Sequence, residues 1–157
     1  MSTLSVEIEN VHSDDATSLI ERLSSELASL YDDDTDEGKG AFAPTDMDVM
    51  DAAFVVARVD GEPVGCGAIR PWDEPGVAEV KRMFVVPDMR GHGISKRILL
   101  KLEEVARSFS YTALILETGT RQSEAIALYE KAGYKRFQCW GEYVNRSWSI
   151  CYRKEIA

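Results

Sequence analysis

Residues 85 to 96 read Val85-Val86-Pro87-Asp88-Met89-Arg90-Gly91-His92-Gly93-Ile94-Ser95-Lys96, which predicts the end of a β-strand, a short turn and the opening of a helix. Gly91 and Gly93 alternate in this turn, so the backbone can approach a ligand closely. The N–H groups of the helix's first turn, at the positive end of its dipole, suit an anion such as pyrophosphate. The alternative is that the two glycines only shape a tight turn.

Basic residues gather at this turn although the chain as a whole is acidic, with a formal net charge of −9. Between residues 89 and 102 there is no acidic residue, and the basic ones are Arg90, Lys96, Arg97 and Lys101. A small molecule that bears phosphate is therefore the expected ligand. The acidic balance argues against general binding to nucleic acid or to an anionic membrane, because both reward basic residues spread over a broad face.

Length and composition predict a single domain that covers residues 1–157, since a chain of 157 residues with 45% hydrophobic composition can bury one core. No apolar run approaches the ~18 residues that a membrane span requires. Met1-Ser2-Thr3-Leu4 carries no export signal, so we expect a cytoplasmic location. Cys66, Cys139 and Cys151 are odd in number and widely spaced, so we expect buried thiols, with neither a disulfide framework nor a metal site.

The first part of the chain predicts a strand, a helix and an acidic loop. Alternation from Leu4 to Ile8 indicates a half-buried strand, and Ser13-Asp14-Asp15 provides an N-cap for a helix whose apolar face continues to Leu30. An exposed acidic run follows, made of Asp32, Asp33, Asp34, Asp36 and Glu37. This run is either a solvated loop or an electrostatic guide for a cationic substrate.

The remainder predicts a mixed sheet covered by helices. Asp60-Gly61 between the apolar runs 53–59 and 64–70 indicates a hairpin, and strand 77–86 leads to the glycine turn. Alternation along that strand places Glu79, Lys81, Met83 and Val85 on one face, and Val80, Arg82 and Phe84 on the other. A helix from Ile94, a strand at 112–117, a helix at 123–132 and strands near 134–140 and 147–154 complete the order βα-βββ-α-β-α-ββ.

Three motifs in this order resemble the GNAT superfamily of acyl-CoA N-acyltransferases. They are Val85-x-Pro87-x-x-Arg90-Gly91-x-Gly93-Ile94, then Leu116-Glu117-Thr118, then Ala125-Ile126-x-Leu128-Tyr129-Glu130-Lys131-x-Gly133-Tyr134. The resemblance implies a mixed α/β fold of the α+β type, with a central sheet of about six to seven strands and about four helices. It also implies acetyl transfer from acetyl-CoA to a primary amine of a small molecule, by direct attack in a ternary complex.

By this resemblance the turn holds the coenzyme A pyrophosphate through backbone N–H groups. The implied cofactor-binding residues are Phe84, Val85, Val86, Arg90, Gly91, His92, Gly93, Ile94, Ser95 and Lys96. Ser95 replaces the usual Gly or Ala, and His92 is a neighbour of the phosphates rather than a base. Gln122, where the family often has Asn, is a further coenzyme contact. Phe84 and Val85 line the pantetheine channel where the fourth and fifth strands splay, and the Val85 N–H stabilises the oxyanion.

The resemblance also implies catalytic roles. Tyr129 matches the tyrosine that serves as general acid for the departing thiolate, although an aromatic residue at this helical spacing also fits the core. Glu79 matches a position that carries a general base in some members, and its alternative is an exposed strand carboxylate. Glu117 is expected to hold the acceptor amine or to contact the coenzyme.

The same residues leave two alternative functions open for comparison, and they bear on the charge of the acceptor and on dimer formation. A dinucleotide-binding oxidoreductase is opposed by Lys96 at the place of the third glycine, and a non-catalytic acyl-CoA-binding module of the same fold stays open. The acidic run and the net charge favour a cationic amine acceptor. An exposed terminal strand could pair in a homodimer.

Overall fold

The computed structural model describes residues 2–30 and 43–157, so the acidic run 32–37 lies outside the described residues. The strands are β1 (Leu4–Glu9), β2 (Ala53–Val59), β3 (Glu62–Pro71), β4 (Val77–Val85), β5 (Ala113–Gly119), β6 (Lys135–Arg136) and β7 (Ser149–Glu155). The helices are α1 (Asp14–Leu30), α2 (Ile94–Ser108) and α3 (Ser123–Lys131). The predicted element order is confirmed, with three α-helices in the described ranges instead of about four.

The strands form one seven-stranded mixed sheet in the order β1-β2-β3-β4-β5-β7-β6. Only β4 and β5 pair in parallel, because α2 carries the chain across the sheet between them. The mixed α/β class predicted from the pattern is confirmed. β7 lies between β5 and the short β6, so the edge strands of this sheet are β1 and β6. Dimer formation through a terminal strand stays a prediction.

Local signals explain how α1 is placed. The Ser13 hydroxyl accepts the Ala16 N–H at 3.1 Å, as expected of an N-cap. Asp15 in the first turn accepts a hydrogen bond from Arg58 of β2 at 2.8 Å, and Arg58 also donates to Glu9 of β1. These charged contacts fix the start of α1 against the first two strands, and its buried face is formed by Ala16, Leu19, Ile20 and Leu23.

A β-bulge interrupts β4 at Arg82, whose φ is +58°. Cys66 lies opposite Phe84 but Ala68 lies opposite Lys81, so Gly67 faces two residues of β4. Since paired residues share a face, Lys81 lies on the side of Phe84. A Cβ on Gly67 would lie 2.9 Å from the Met83 sulfur, which places Met83 on the opposite side. The predicted common face for Glu79, Lys81, Met83 and Val85 is therefore wrong, because alternation restarts at the bulge.

The glycines of β3 let α2 approach the sheet closely. A Cβ on Gly67 would lie 2.8 Å from Ile98 and 2.9 Å from Leu102, and one on Gly65 would lie 2.7 Å from the Phe84 carbonyl oxygen. Side chains at these positions would push α2 away from β3. The helix that follows the glycine turn is thus held directly against the sheet at β3. None of the helices within residues 2–30 and 43–157 is long and apolar enough to cross a membrane.

The cysteine prediction is wrong in one respect, since Cys139 and Cys151 form a disulfide with their Cα atoms 5.3 Å apart. Spacing alone missed this pair because β7 returns beside the segment that follows β6. Cys66 is a buried free thiol, as predicted, and burial raises its pKa to about 12. The disulfide closes a loop between two residues 12 apart and anchors its aromatic residues to β7.

Removal of this disulfide should destabilise the fold. Closing a loop of this length removes entropy from the unfolded chain, so Cys139→Ser should lower the free energy of unfolding by about 2–4 kcal/mol. Urea denaturation with and without a reductant measures the effect. The reduced parent should match the variant, and the variant should not respond to reductant. An unchanged unfolding midpoint in the reduced parent would contradict the prediction.

Candidate active site

β4 and β5 separate at their C-terminal ends and open a groove between them. They pair only from Val77 opposite Ala113 to Val80 opposite Leu116, while β4 continues to Val85. A cavity of about 430 Å³ runs from this gap to the glycine turn, with α1 as one wall and α3 as another. A smaller cavity of about 100 Å³ adjoins it. The residues that line both are Leu23, Leu27, Met83, Gln122 and Tyr129.

The glycine turn forms the far end of the larger cavity. Gly91 has φ +83° and Gly93 has φ +77°, a left-handed conformation that favours glycine. A Cβ on either residue would meet no described heavy atom within 4 Å, so the backbone borders open space. Gly93 is the N-cap of α2 and provides no side-chain cap. The first N–H groups of α2 are therefore available to an anion, as the sequence predicts.

The predicted binding residues other than Glu117 divide into two groups. Those that line the larger cavity are Phe84, Val85, Arg90, Gly91, Gly93, Ile94, Ser95 and Gln122. His92, Lys96 and Val86 do not line it, and the Val86 N–H donates to the Val64 carbonyl instead. Cofactor contacts from the predicted residues of both groups stay predictions. Gln122 is the N-cap residue of α3 and lies at the junction of the two cavities.

The Arg90 side chain is engaged within the protein. Its guanidinium donates to both Glu26 carboxylate oxygens, at 2.6 and 2.8 Å, and its Nε donates to the Val85 carbonyl at 2.8 Å. The guanidinium also lies 5.7 Å from the centre of the Phe84 ring. Arg90 therefore ties the turn to α1 and β4. Sequence reasoning missed Glu26, because nothing on an exposed helix face indicates a partner 64 residues away.

Tyr129 reaches the groove from α3. It is buried, and its ring packs against those of Tyr134 and Tyr152 at 5.9 and 6.2 Å between centroids. The two interpretations of this residue therefore coexist, since Tyr129 is a core residue that also lines both cavities. Burial, together with the nearby Glu117 carboxylate, holds the pKa of Tyr129 well above its usual range. Its hydroxyl keeps its proton at neutral pH.

Glu79 is 4% exposed, so the alternative of an exposed carboxylate is wrong. Its Oε1 lies 3.2 Å from two guanidinium nitrogens of Arg70, and its Oε2 lies 4.0 Å from the Lys81 ammonium. Glu79 lines neither cavity, whereas Lys81 lines the smaller one. Its role as a base stays a prediction.

Lys81 connects the groove to the loop closed by the disulfide. Its ammonium donates to the Tyr143 hydroxyl at 2.8 Å, and burial lowers its pKa. Tyr143 is buried and belongs to the C-terminal aromatic stretch, whose position the sequence does not reveal. A lysine that lines the smaller cavity is thus bonded to the segment that the disulfide closes.

Glu117 also lines the smaller cavity, at the end of β5. Its Oε2 accepts a hydrogen bond from the Ser149 hydroxyl at 2.7 Å. Burial raises the pKa of Glu117, and this hydrogen bond and the nearby Lys81 charge oppose the rise. The sequence predicted Glu117 as a contact, but Ser149 could not be found without the pairing of β5 with β7.

The family model described as the acetyltransferase (GNAT) family matches residues 17–134. The chain belongs to the GNAT family. An IAA acetyltransferase of Azospirillum brasilense is 39% identical over 143 residues, which are 91% of this chain and 92% of that protein. This match and the family support acetyl transfer as the general reaction of this GNAT chain.

Solved structures agree with the fold of this GNAT chain. A Klebsiella pneumoniae protein assigned as an acyl-CoA N-acyltransferase superposes with a TM-score of 0.81 at 28% identity, covering 99% of each chain. The PaiA N-acetyltransferase of Thermoplasma acidophilum, solved in complex with coenzyme A, has a TM-score of 0.72 at 19% identity, with 96% of this chain and 99% of that chain covered. At that identity the second likeness shows the fold alone.

The residues of the groove fit coenzyme A as a ligand. The open glycine backbone and the uncapped start of α2 suit phosphate groups. Between the turn and Tyr129 the larger cavity has apolar walls, which include Leu23, Leu27, Met83 and Phe84. An anion site at one end and an apolar passage toward a buried tyrosine match the chemistry of a phosphate-bearing thioester.

Proposed function

We propose that this chain is an acetyl-CoA-dependent N-acetyltransferase that acetylates a primary amine of a small molecule by direct attack in a ternary complex. One observation carries the proposal: the gap between β4 and β5 joins the glycine turn to a second cavity that holds carboxylate and ammonium groups. Such a pair of connected cavities can hold the donor in one and the acceptor in the other. Direct transfer needs both together.

The chain's own residues supply the parts that acyl transfer needs. The N–H groups that begin α2 hold the pyrophosphate, and the Val85 N–H is proposed to stabilise the oxyanion. Tyr129, protonated at neutral pH and facing both cavities, gives its proton to the departing thiolate. A carboxylate takes the proton that the incoming ammonium must lose, and Glu79 is the residue predicted for this from the sequence.

We further propose that the acceptor is cationic. The partly buried carboxylate of Glu117 in the smaller cavity favours an ammonium group, and the net charge of −9 attracts cations at long range. The acidic run 32–37 would add to this attraction. Because exposed charges are screened beyond ~10 Å at ~0.1 M salt, the effect should appear in kcat/KM at low ionic strength.

A turnover screen tests the proposed function. Acetyl-CoA is incubated with amines, amino acids, polyamines and peptides, together with IAA, the substrate named for the Azospirillum brasilense relative, and free thiol is measured. We expect thiol release with primary amines and the highest kcat/KM for a cationic one, falling as salt rises. If coenzyme A raises the Tm but no acceptor releases thiol, the chain is a non-catalytic acyl-CoA-binding module instead. Stabilisation by NAD and not by coenzyme A would point to an oxidoreductase.

A further inference from the structure

We propose that Glu117, rather than Glu79, is the general base that takes the proton of the acceptor's ammonium group. The inference rests on the proposed function and assigns one residue of the same site. Glu117 lines the smaller cavity together with Tyr129, so the proposed acid and the proposed base face one space. Glu79 is absent from the lining of both cavities and is held at 3.2 Å by Arg70.

The two carboxylates differ in their partners. Glu79 has two cationic neighbours, Arg70 and Lys81, within 4.0 Å, so its carboxylate is engaged in ion pairs. Glu117 accepts a hydrogen bond from the neutral Ser149 hydroxyl. Among the residues that the structure describes, no lysine or arginine nitrogen lies within ion-pair distance of its carboxylate. A partly buried carboxylate without an ion pair can accept a proton without breaking a salt bridge.

The groups that face Glu117 come from four elements. They are Glu79, Lys81 and Arg82 of β4, Tyr129 of α3, Tyr143 and Arg146 of the segment between β6 and β7, and Ser149 of β7. Burial is the largest influence and raises the pKa of Glu117, and Glu79 adds to the rise. Ser149, Lys81 and Arg146 oppose it. A carboxylate whose pKa is raised toward neutrality is a better-matched base at physiological pH.

With this assignment, residues of this cavity carry out every proton transfer of the reaction. Glu117 takes one proton from the ammonium group, which frees the nitrogen lone pair to form the N–C bond as the C–S bond breaks. Tyr129 gives its proton to the sulfur and regains one from the acylated nitrogen. Glu117 releases its proton to solvent, so one amide, one thiol and one proton result from one ammonium and one thioester.

The test is the pH profile of kcat/KM for acetyl-CoA with the panel amine that gives the fastest thiol release. A base must be deprotonated, so the parent's activity should fall as pH drops through the pKa of Glu117. Glu117→Gln should lose this acid limb and follow only the deprotonation of the amine itself. Glu79→Gln is the matched comparison and should keep the acid limb, whatever its effect on the absolute rate.

Ser149→Ala provides a second variant that leaves Glu117 in place. The hydrogen bond from Ser149 lowers the pKa of Glu117, so its loss should move the acid limb to higher pH. A purely structural role would not move the limb. An unshifted limb in Ser149→Ala, an acid limb in Glu117→Gln at the same pH as in the parent, or the loss of that limb in Glu79→Gln would overturn the assignment.

Two readouts separate this inference from the proposed function. The Tm shift caused by coenzyme A should be the same in the parent and in all three variants, because none of the three residues lines the larger cavity. Thiol release by the parent with an unchanged acid limb in Glu117→Gln would overturn only the base assignment. No thiol release by the parent with any amine would overturn the proposed function and the assignment with it.

Discussion

Tyr129→Phe should lower kcat by about 10²-fold and leave the affinity for coenzyme A nearly unchanged. Phenylalanine keeps the ring that packs against Tyr134 and Tyr152, so the core and the groove wall are preserved. Only the hydroxyl is lost, and with it the proton for the departing thiolate. Steady-state thiol release gives kcat, and the Tm shift caused by coenzyme A reports binding.

Tyr152→Phe is the matched control for this substitution. Its ring lies against Tyr129, but its hydroxyl donates to Glu130 at 2.8 Å and does not face either cavity. Its kcat should therefore stay close to that of the parent.

Because the pKa of Tyr129 lies far above the assay range, the parent should also show no loss of activity from Tyr129 ionisation between pH 7 and about pH 9. Equal kcat in Tyr129→Phe and the parent would return this residue to a purely structural role.

Gly93→Glu should abolish coenzyme A binding. A side chain would enter the open space beside the start of α2, and its carboxylate would repel the pyrophosphate from the helix N-terminus. In the parent, coenzyme A at ~100 times its Kd should add about 2.7 kcal/mol of stability, or roughly 5–10 °C in Tm for a domain of this size. The variant should show no such shift, as measured by differential scanning fluorimetry.

Gly61→Glu controls for the backbone cost of this change. Gly61 has φ +88° and no heavy atom near its Cβ position, so it shares the strain and the open surroundings of Gly93. It lies in the hairpin between β2 and β3 and does not line the groove. Both variants should lose similar stability without ligand, but only Gly61→Glu should keep the shift with coenzyme A. If coenzyme A still raised the Tm of Gly93→Glu, the glycine turn would not be part of the donor site.

The sequence indicated the local elements of this site well, because each depends on residues close together in the chain. Asp60-Gly61 predicted the hairpin of β2 and β3, and the structure confirms it. Gly91 and Gly93 predicted a turn open to a ligand, and their left-handed backbone and empty surroundings agree. The motif around Tyr129 predicted a catalytic tyrosine at the groove. Helical periodicity alone favoured a core position for the same residue.

The predictions that failed involve pairing between distant segments. Strict alternation assigned Met83 to the face of Lys81, but the bulge at Arg82 reverses that face. Gly65 and Gly67 were the available signal, since glycines inside a strand often mark a bulge or a close approach. Spacing gave no hint of the bond between Cys139 and Cys151, which needs β7 to return beside residue 139.

By itself the sequence determined the order of elements, the glycine turn and the family, since periodicity, turn residues and motifs are local properties of the chain. Only the tertiary structure decided which carboxylate faces the groove. Glu79 and Glu117 both lie on strands, but their surroundings depend on partners from neighbouring strands: Arg70 of β3 contacts Glu79, and Ser149 of β7, 32 residues away, contacts Glu117. A side chain's ability to move a proton depends on its burial and on neighbouring charges, and these are set when strands distant in sequence come together.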